Sequence, residues 1–119
     1  MRLIPLLGGL LCAAVSGANA QDAVTVDPAH HKVEFENAHI RVLRVRYRPH
    51  ERSQMHSHPS SVVVFLTALH LQFTYPNGKA EEEKAKAGGT GWAKAITHTV
   101  ENLSDQAAEL IEVELKGEH

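Results

Sequence analysis

From Ile40 onward, apolar and polar residues alternate with the period of a β-strand. Leu43, Val45 and Tyr47 alternate with Arg44, Arg46 and Arg48, which predicts a strand over Ile40 to Tyr47, closed by Pro49. His31 to Phe35 predicts a strand before it, ended by Asn37. Ser61 to Thr67 is β-branched and apolar on both faces, as a strand inside a sandwich would be. Leu69, Leu71, Phe73 and Tyr75 alternate with His70, Gln72 and Thr74. Pro76-Asn77-Gly78-Lys79 follows, and Asn-Gly between two strand-like runs predicts a hairpin, because both central residues can take positive φ. The return arm, Ala80 to Ala87, is rich in Glu and Lys and reads as a charged edge strand. Short strands are expected at Gly91 to Ala95 and Thr97 to Glu101, the second with His98 and Val100 on one face. Leu110 to Leu115 is the last, with Ile111, Val113 and Leu115 inward and Glu112 and Glu114 outward. No long helical period appears. Strands every eight to twelve residues, with turn signals between them, predict an all-β sandwich or barrel.

The first twenty residues follow another logic. Arg2 precedes an apolar run from Leu3 to Leu11, and Ala18-Asn19-Ala20 forms a small-x-small site before Gln21. This is the pattern of a cleaved export signal, and the run is too short to span a bilayer. Residues 1–20 are therefore expected to be a signal peptide and residues 21–119 one domain, exported to a periplasmic or extracellular space with no stable membrane span. Cys12 is the single cysteine and lies within the signal, so the mature chain is expected to have no disulfide and no thiolate ligand or nucleophile. Val24 to Val26, in the leader that follows, reads as an edge strand or swapped arm. An exposed edge there would favour a homodimer.

The signal contributes only Arg2 to the 12 basic residues, which face 14 acidic ones. The remainder is weakly acidic, and Arg41, Arg44, Arg46, Arg48 and Arg52 read as a solvated strand face. No nucleic-acid partner is expected. No Ser-His-Asp arrangement or phosphate-binding loop is apparent. The candidate chemistry is Met55-His56-Ser57-His58-Pro59. On an extended strand, residues i and i+2 share a face, so His56 and His58 project together as half of a metal site. With nine histidines in the chain, such a pair is weak evidence alone. His98, on a separate strand with Asn102 four positions on, is the third candidate. His30, His31, His39, His50, His70 and His119 read as surface or loop residues.

These motifs resemble those of the cupins, small double-stranded β-helix barrels of the jelly-roll group. Their first motif has a glycine, five residues, His-x-His, a glutamate and a glycine; their second has a glycine, a Pro-x-Gly turn, a histidine and an asparagine. His56 and His58 match the first motif. Gly88, His98 and Asn102 match the second. The chain departs from the pattern at His50 and Leu69, where the first motif has glycines, and at Lys94-Ala95-Ile96, where the second has its turn. Val62 or Val63 stands where the glutamate would fall. The resemblance implies that His56, His58 and His98 converge on one divalent metal ion in the barrel mouth, with no protein carboxylate. Val62, Val64 and Leu66 would form an apolar floor, and Tyr47 and Trp92 the pocket wall. Zinc, copper, nickel and iron suit imidazole ligands, zinc being the first expectation, while oxygenase relatives point to iron or manganese. The implied function is an exported metal-dependent enzyme of oxygenase, isomerase or lyase type acting on a small polar molecule. The alternative is a non-catalytic module that binds a metal or small ligand.

Overall fold

A computed structural model describes residues 21–117. The expected signal peptide, with Cys12 inside it, and His119 lie outside the described residues. The described residues form nine strands and one short helix: α1 (Ala23–Val26), β1 (His31–Glu36), β2 (Ile40–Tyr47), β3 (His56–His58), β4 (Ser61–Phe65), β5 (Leu69–Thr74), β6 (Ala80–Ala85), β7 (Thr90–Ala93), β8 (Ile96–Asn102) and β9 (Ala108–Leu115). Two antiparallel sheets form, in the orders β1-β2-β9-β4-β7 and β3-β8-β5-β6. Among the described residues, no helix is long and apolar enough to cross a membrane.

The two sheets bury Leu43, Val45, Tyr47, Leu69, Leu71, Val100, Ala108 and Leu110 between them. β2 supplies the expected face: Leu43, Val45 and Tyr47 point in, and Arg46 is exposed. β9 has the opposite parity from the one expected. Ala108, Leu110, Glu112 and Glu114 are buried, while Ile111, Val113 and Leu115 are half-buried on the outer face. Because side chains alternate strictly, anchoring Ala108 and Leu110 in the core carries both glutamates inward with them.

The parity of β4 follows from β9. Ser61 pairs with Glu114, Val63 with Glu112 and Phe65 with Leu110. Ser61 is fully buried, and its hydroxyl donates to Glu112 Oε2 at 2.8 Å. The polar residue thus faces inward, and its neighbour Val62 faces out.

Two local expectations are corrected, and the expected hairpin forms with one of its two central residues left-handed. Val24 to Val26 is not a strand: Asp22 Oδ2 caps the Thr25 N–H at 3.2 Å, and Val26 and Asp27 donate to the Asp22 and Ala23 carbonyls at 2.9 Å each. This cap and the complete burial of Ala23 override the β-branched run and leave a short helix in place of a free edge. The β5–β6 hairpin uses a three-residue loop, Pro76 to Gly78, in which the Gly78 N–H donates to the Tyr75 carbonyl at 2.8 Å. Of the two central residues only Gly78, at φ 89°, is left-handed; Pro76 favours a type I turn, so Asn77 keeps a negative φ. Finally, the run from Ser61 to Thr67 is not buried on both faces, because Val62 in β4 and Leu66 just after it remain 39% and 41% exposed.

Candidate metal centre

β3 and β8 pair with His56 directly opposite His98. Strand geometry places His56 and His58 on one face, as their spacing requires, and both are buried. The ring centroids lie 4.9 Å apart for His56 and His58, 4.9 Å for His56 and His98, and 6.1 Å for His58 and His98. A fourth ring joins them. His31, at the start of β1, is buried rather than on the surface, with its centroid 4.7 Å from His56 and 5.2 Å from His58. Nitrogens of His31, His56 and His58 all lie within 4.8 Å of one another. His98 stands beside this trio against His56, and its ring packs on Phe73 at 4.6 Å.

Hydrogen bonds select the tautomers. His56 Nδ1 donates to the Gln54 carbonyl at 2.7 Å, and His31 Nδ1 to the Asp27 carbonyl at 3.0 Å. Each bond leaves Nε2 with a lone pair. His31 Nε2, His56 Nε2 and His98 Nδ1 are buried and have no hydrogen-bond partner. Burial, followed for His98 by its histidine neighbours, pushes the ring down to about 2. His31 falls to about 3 and His56 to about 4, burial again being the largest cause. These three rings are neutral at pH 7, the form that ligates a metal.

His58 differs. Its Nδ1 donates to Glu114 Oε2 at 2.6 Å, and its Nε2 lies 3.5 Å from Glu112 Oε1. Burial pulls its pKa down, but the two glutamates outweigh it and raise the value above that of a free histidine. Burial likewise raises Glu112. Glu114 is held from its other side: Arg41 Nε and Nη2 reach Oε1 at 2.9 and 2.7 Å, and Asp22 Oδ1 accepts from Arg41 Nη2 at 2.6 Å. Arg41 was grouped with the solvated arginines; it is the partly buried counterion of Glu114, its cross-strand partner on β9.

Beside the histidines lies a cavity of about 380 Å³. The apolar side chains of Val45, Phe65, Leu71, Phe73, Val100 and Leu110 line it, together with His31, His56, His58, His98 and Glu112. Tyr47 and Trp92 also line it, the tryptophan at the mouth and 57% exposed. Val62, Val64 and Leu66 do not form its floor. Val63 and Phe65 take that place because of the inward Ser61.

No family model matches the chain, and a search of curated proteins finds no match. Solved structures do share the fold. A cupin domain from Bordetella pertussis Tohama I superposes with a TM-score of 0.67 at 26% identity, over 73% of this chain and 92% of that one. A protein with a double-stranded β-helix domain from Klebsiella pneumoniae gives 0.56 at 18% identity, over 73% and 76%. This chain has the fold of a small single-domain cupin. A cupin superfamily protein from Desulfitobacterium hafniense, at 0.52 and 6% identity over 71% and 74%, shares the fold alone.

Within this cupin fold the motif positions acquire physical roles. His50, at the position of the motif glycine, has φ 63°. The loop keeps the left-handed backbone that glycine serves elsewhere. Asn102 faces away from metal chemistry: its Nδ2 donates to the carbonyls of Tyr47, Arg48 and Gln106, and its Oδ1 accepts from Ser104. It ties the end of β8 to two neighbouring segments. Of the two valines at the motif glutamate, Val63 faces the cavity. The sequence reading missed His31, Glu112 and Glu114. A signal for the glutamates was available in their i, i+2 spacing, which puts both on one face; His31 had none beyond lying at a strand start.

Proposed function

We propose that this cupin holds one divalent metal ion through His56, His58 and His98, joined by His31, and acts on a small molecule bound in the adjacent cavity. The observation that carries this is the set of three buried, partnerless ring nitrogens on His31, His56 and His98. A buried polar atom left unpaired costs about 1–3 kcal/mol. Three together on one cavity wall are a costly arrangement unless a ligand engages them. Neutral imidazoles, those of His31 and His56 with tautomers fixed by backbone carbonyls, are the donor set that borderline divalent ions prefer, zinc and copper over iron by intrinsic affinity.

An ion held there would supply Lewis acidity to an oxygen-bearing ligand. The chain does the rest. Asp27 and Gln54 carbonyls orient His31 and His56. Phe73 covers a face of the His98 ring, and the size of the cavity fits a small substrate. An oxygenase, isomerase or lyase reaction is consistent with this arrangement.

The leader pattern of residues 1–20 supports export, with Gln21 as the first residue of the mature protein. Elemental analysis and intact mass of protein recovered from the outer compartment test both parts. The expected result is about one divalent ion per chain on a species beginning at Gln21. Protein free of metal after native export, and unable to take up zinc, copper, iron or manganese, would overturn the metal centre. A mass that includes Cys12 would overturn the processing.

A further inference from the structure

Glu112 is not among the proposed histidine ligands, yet it is a buried carboxylate on the wall of the same cavity. Its two oxygens differ. Oε2 accepts from Ser61 Oγ at 2.8 Å, which fixes the carboxylate plane. Oε1 faces only His58 Nε2, at 3.5 Å. The nearby Glu114 has no such free oxygen, since Oε2 is on His58 Nδ1 and Oε1 on Arg41. Glu114 therefore orients His58, and its engagement of Nδ1 turns Nε2 toward Glu112.

The separation itself is informative. Two donors bonded to one first-row ion at about 2.1 Å stand roughly 3–3.5 Å apart in octahedral or tetrahedral geometry. Glu112 Oε1 and His58 Nε2 already have that spacing. His58 also belongs to both of the ligand clusters, His31-His56-His58 and His58-Glu112-Glu114. It is the hinge through which a carboxylate can reach the imidazole centre. Cross-strand register adds a second, independent point. Glu112 sits directly opposite Val63, the cavity-facing valine at the motif glutamate position. Cross-strand partners on one face have Cβ atoms about 4.5–5.5 Å apart, within the reach of a glutamate side chain.

We propose that Glu112 on β9 is a carboxylate ligand of the metal centre, occupying from the neighbouring strand the place that Val63 leaves apolar. This rests on the metal-centre reading above and adds an anionic oxygen to its shell. The resulting mixed nitrogen–oxygen shell accepts manganese and iron, which an all-imidazole shell holds less well.

The test titrates metal-free protein with Mn²⁺ and, separately, Zn²⁺, comparing wild type with Glu112→Gln and His56→Ala. Glu112→Gln keeps the shape and the Ser61 contact but removes the charge. The expected result is at least a tenfold loss of Mn²⁺ affinity and a smaller loss for Zn²⁺. Unchanged affinity for both ions in a folded Glu112→Gln, with binding still lost in His56→Ala, overturns this proposal and leaves the histidine centre standing. Wild type that binds neither ion overturns both. If Glu112→Gln does not fold, the structure of the Mn²⁺-loaded wild-type protein decides. A Glu112 oxygen bonded to the ion supports the proposal, and a shell without it overturns it.

Discussion

His50 shows how much a single backbone angle can carry. A non-glycine residue at φ 63° is strained by about 1–2 kcal/mol, and its exposed contact with Asp105, at 2.7 Å, recovers little of that. His50→Gly is expected to stabilise the fold by up to about 1 kcal/mol, read as a raised urea midpoint at an unchanged slope. A fall in midpoint would show that the His50–Asp105 contact outweighs the strain. The motif pattern alone marked this position as one for glycine. It could not show that histidine tolerates the angle, which depends on the loop around it. The paired histidines were legible for a simple reason, since an i, i+2 spacing on a strand leaves no choice of face. His31 was not legible because nothing in its neighbourhood distinguishes a buried strand start from an exposed one. Its burial depends on β3, distant in sequence, whose His56 and His58 rings pack against it.

At the scale of elements, β9 is the instructive strand. Its apolar residues Ile111, Val113 and Leu115 argued for one parity, and the structure has the other. Hydrophobic alternation reports which face is more apolar, and it fails when charged residues on the inner face find buried partners. Here those partners are His58, Ser61 and Arg41, from three other strands. The same inversion moved the cavity floor from Val62, Val64 and Leu66 to Val63 and Phe65. It also makes Arg41 structural. Arg41→Met removes the counterion of a fully buried Glu114 and is expected to cost about 3 kcal/mol in equilibrium unfolding. A loss under about 0.5 kcal/mol would place the pair among solvent-screened surface bridges. In the β5–β6 hairpin, Gly78→Ala at φ 89° is expected to cost about 1 kcal/mol, with the cavity unaffected.

At the scale of the whole molecule, the succession of strands was readable from turn signals and periodicity, because each strand is short and punctuated; those signals gave a sandwich or barrel, and the motif resemblance narrowed it to the cupin barrel. The site is harder to read, since it draws on β1, β3, β8 and β9, which meet only once both sheets close. That construction gives the metal-free protein an acid sensitivity. His31, His56 and His98 are held neutral in the fold, with values lowered to about 3, 4 and 2 from the ordinary 6.5. Below pH 6.5 the unfolded chain binds more protons at these positions than the folded one, so stability is full above pH 6.5 and falls as pH drops toward 4. Thermal unfolding of metal-free protein should show Tm decreasing steadily across that window. A Tm that is flat from pH 7 to pH 4.5 would contradict the neutral assignment. Bound metal, which binds only the folded form tightly, should raise Tm at pH 7 and lose that effect in acid.

Whether the buried histidines form one metal centre is read most directly from the long-range ¹⁵N–¹H spectrum of the imidazoles in metal-free protein, titrated with Zn²⁺. One equivalent is expected to shift ring signals of His31, His56, His58 and His98, with Nε2 of His56 and His31 as the ligating nitrogens, while exposed His39 and half-buried His70 stay unchanged. Signals of the buried histidines that do not move at saturating zinc, or that move only together with those of His39 and His70, would contradict a shared metal centre.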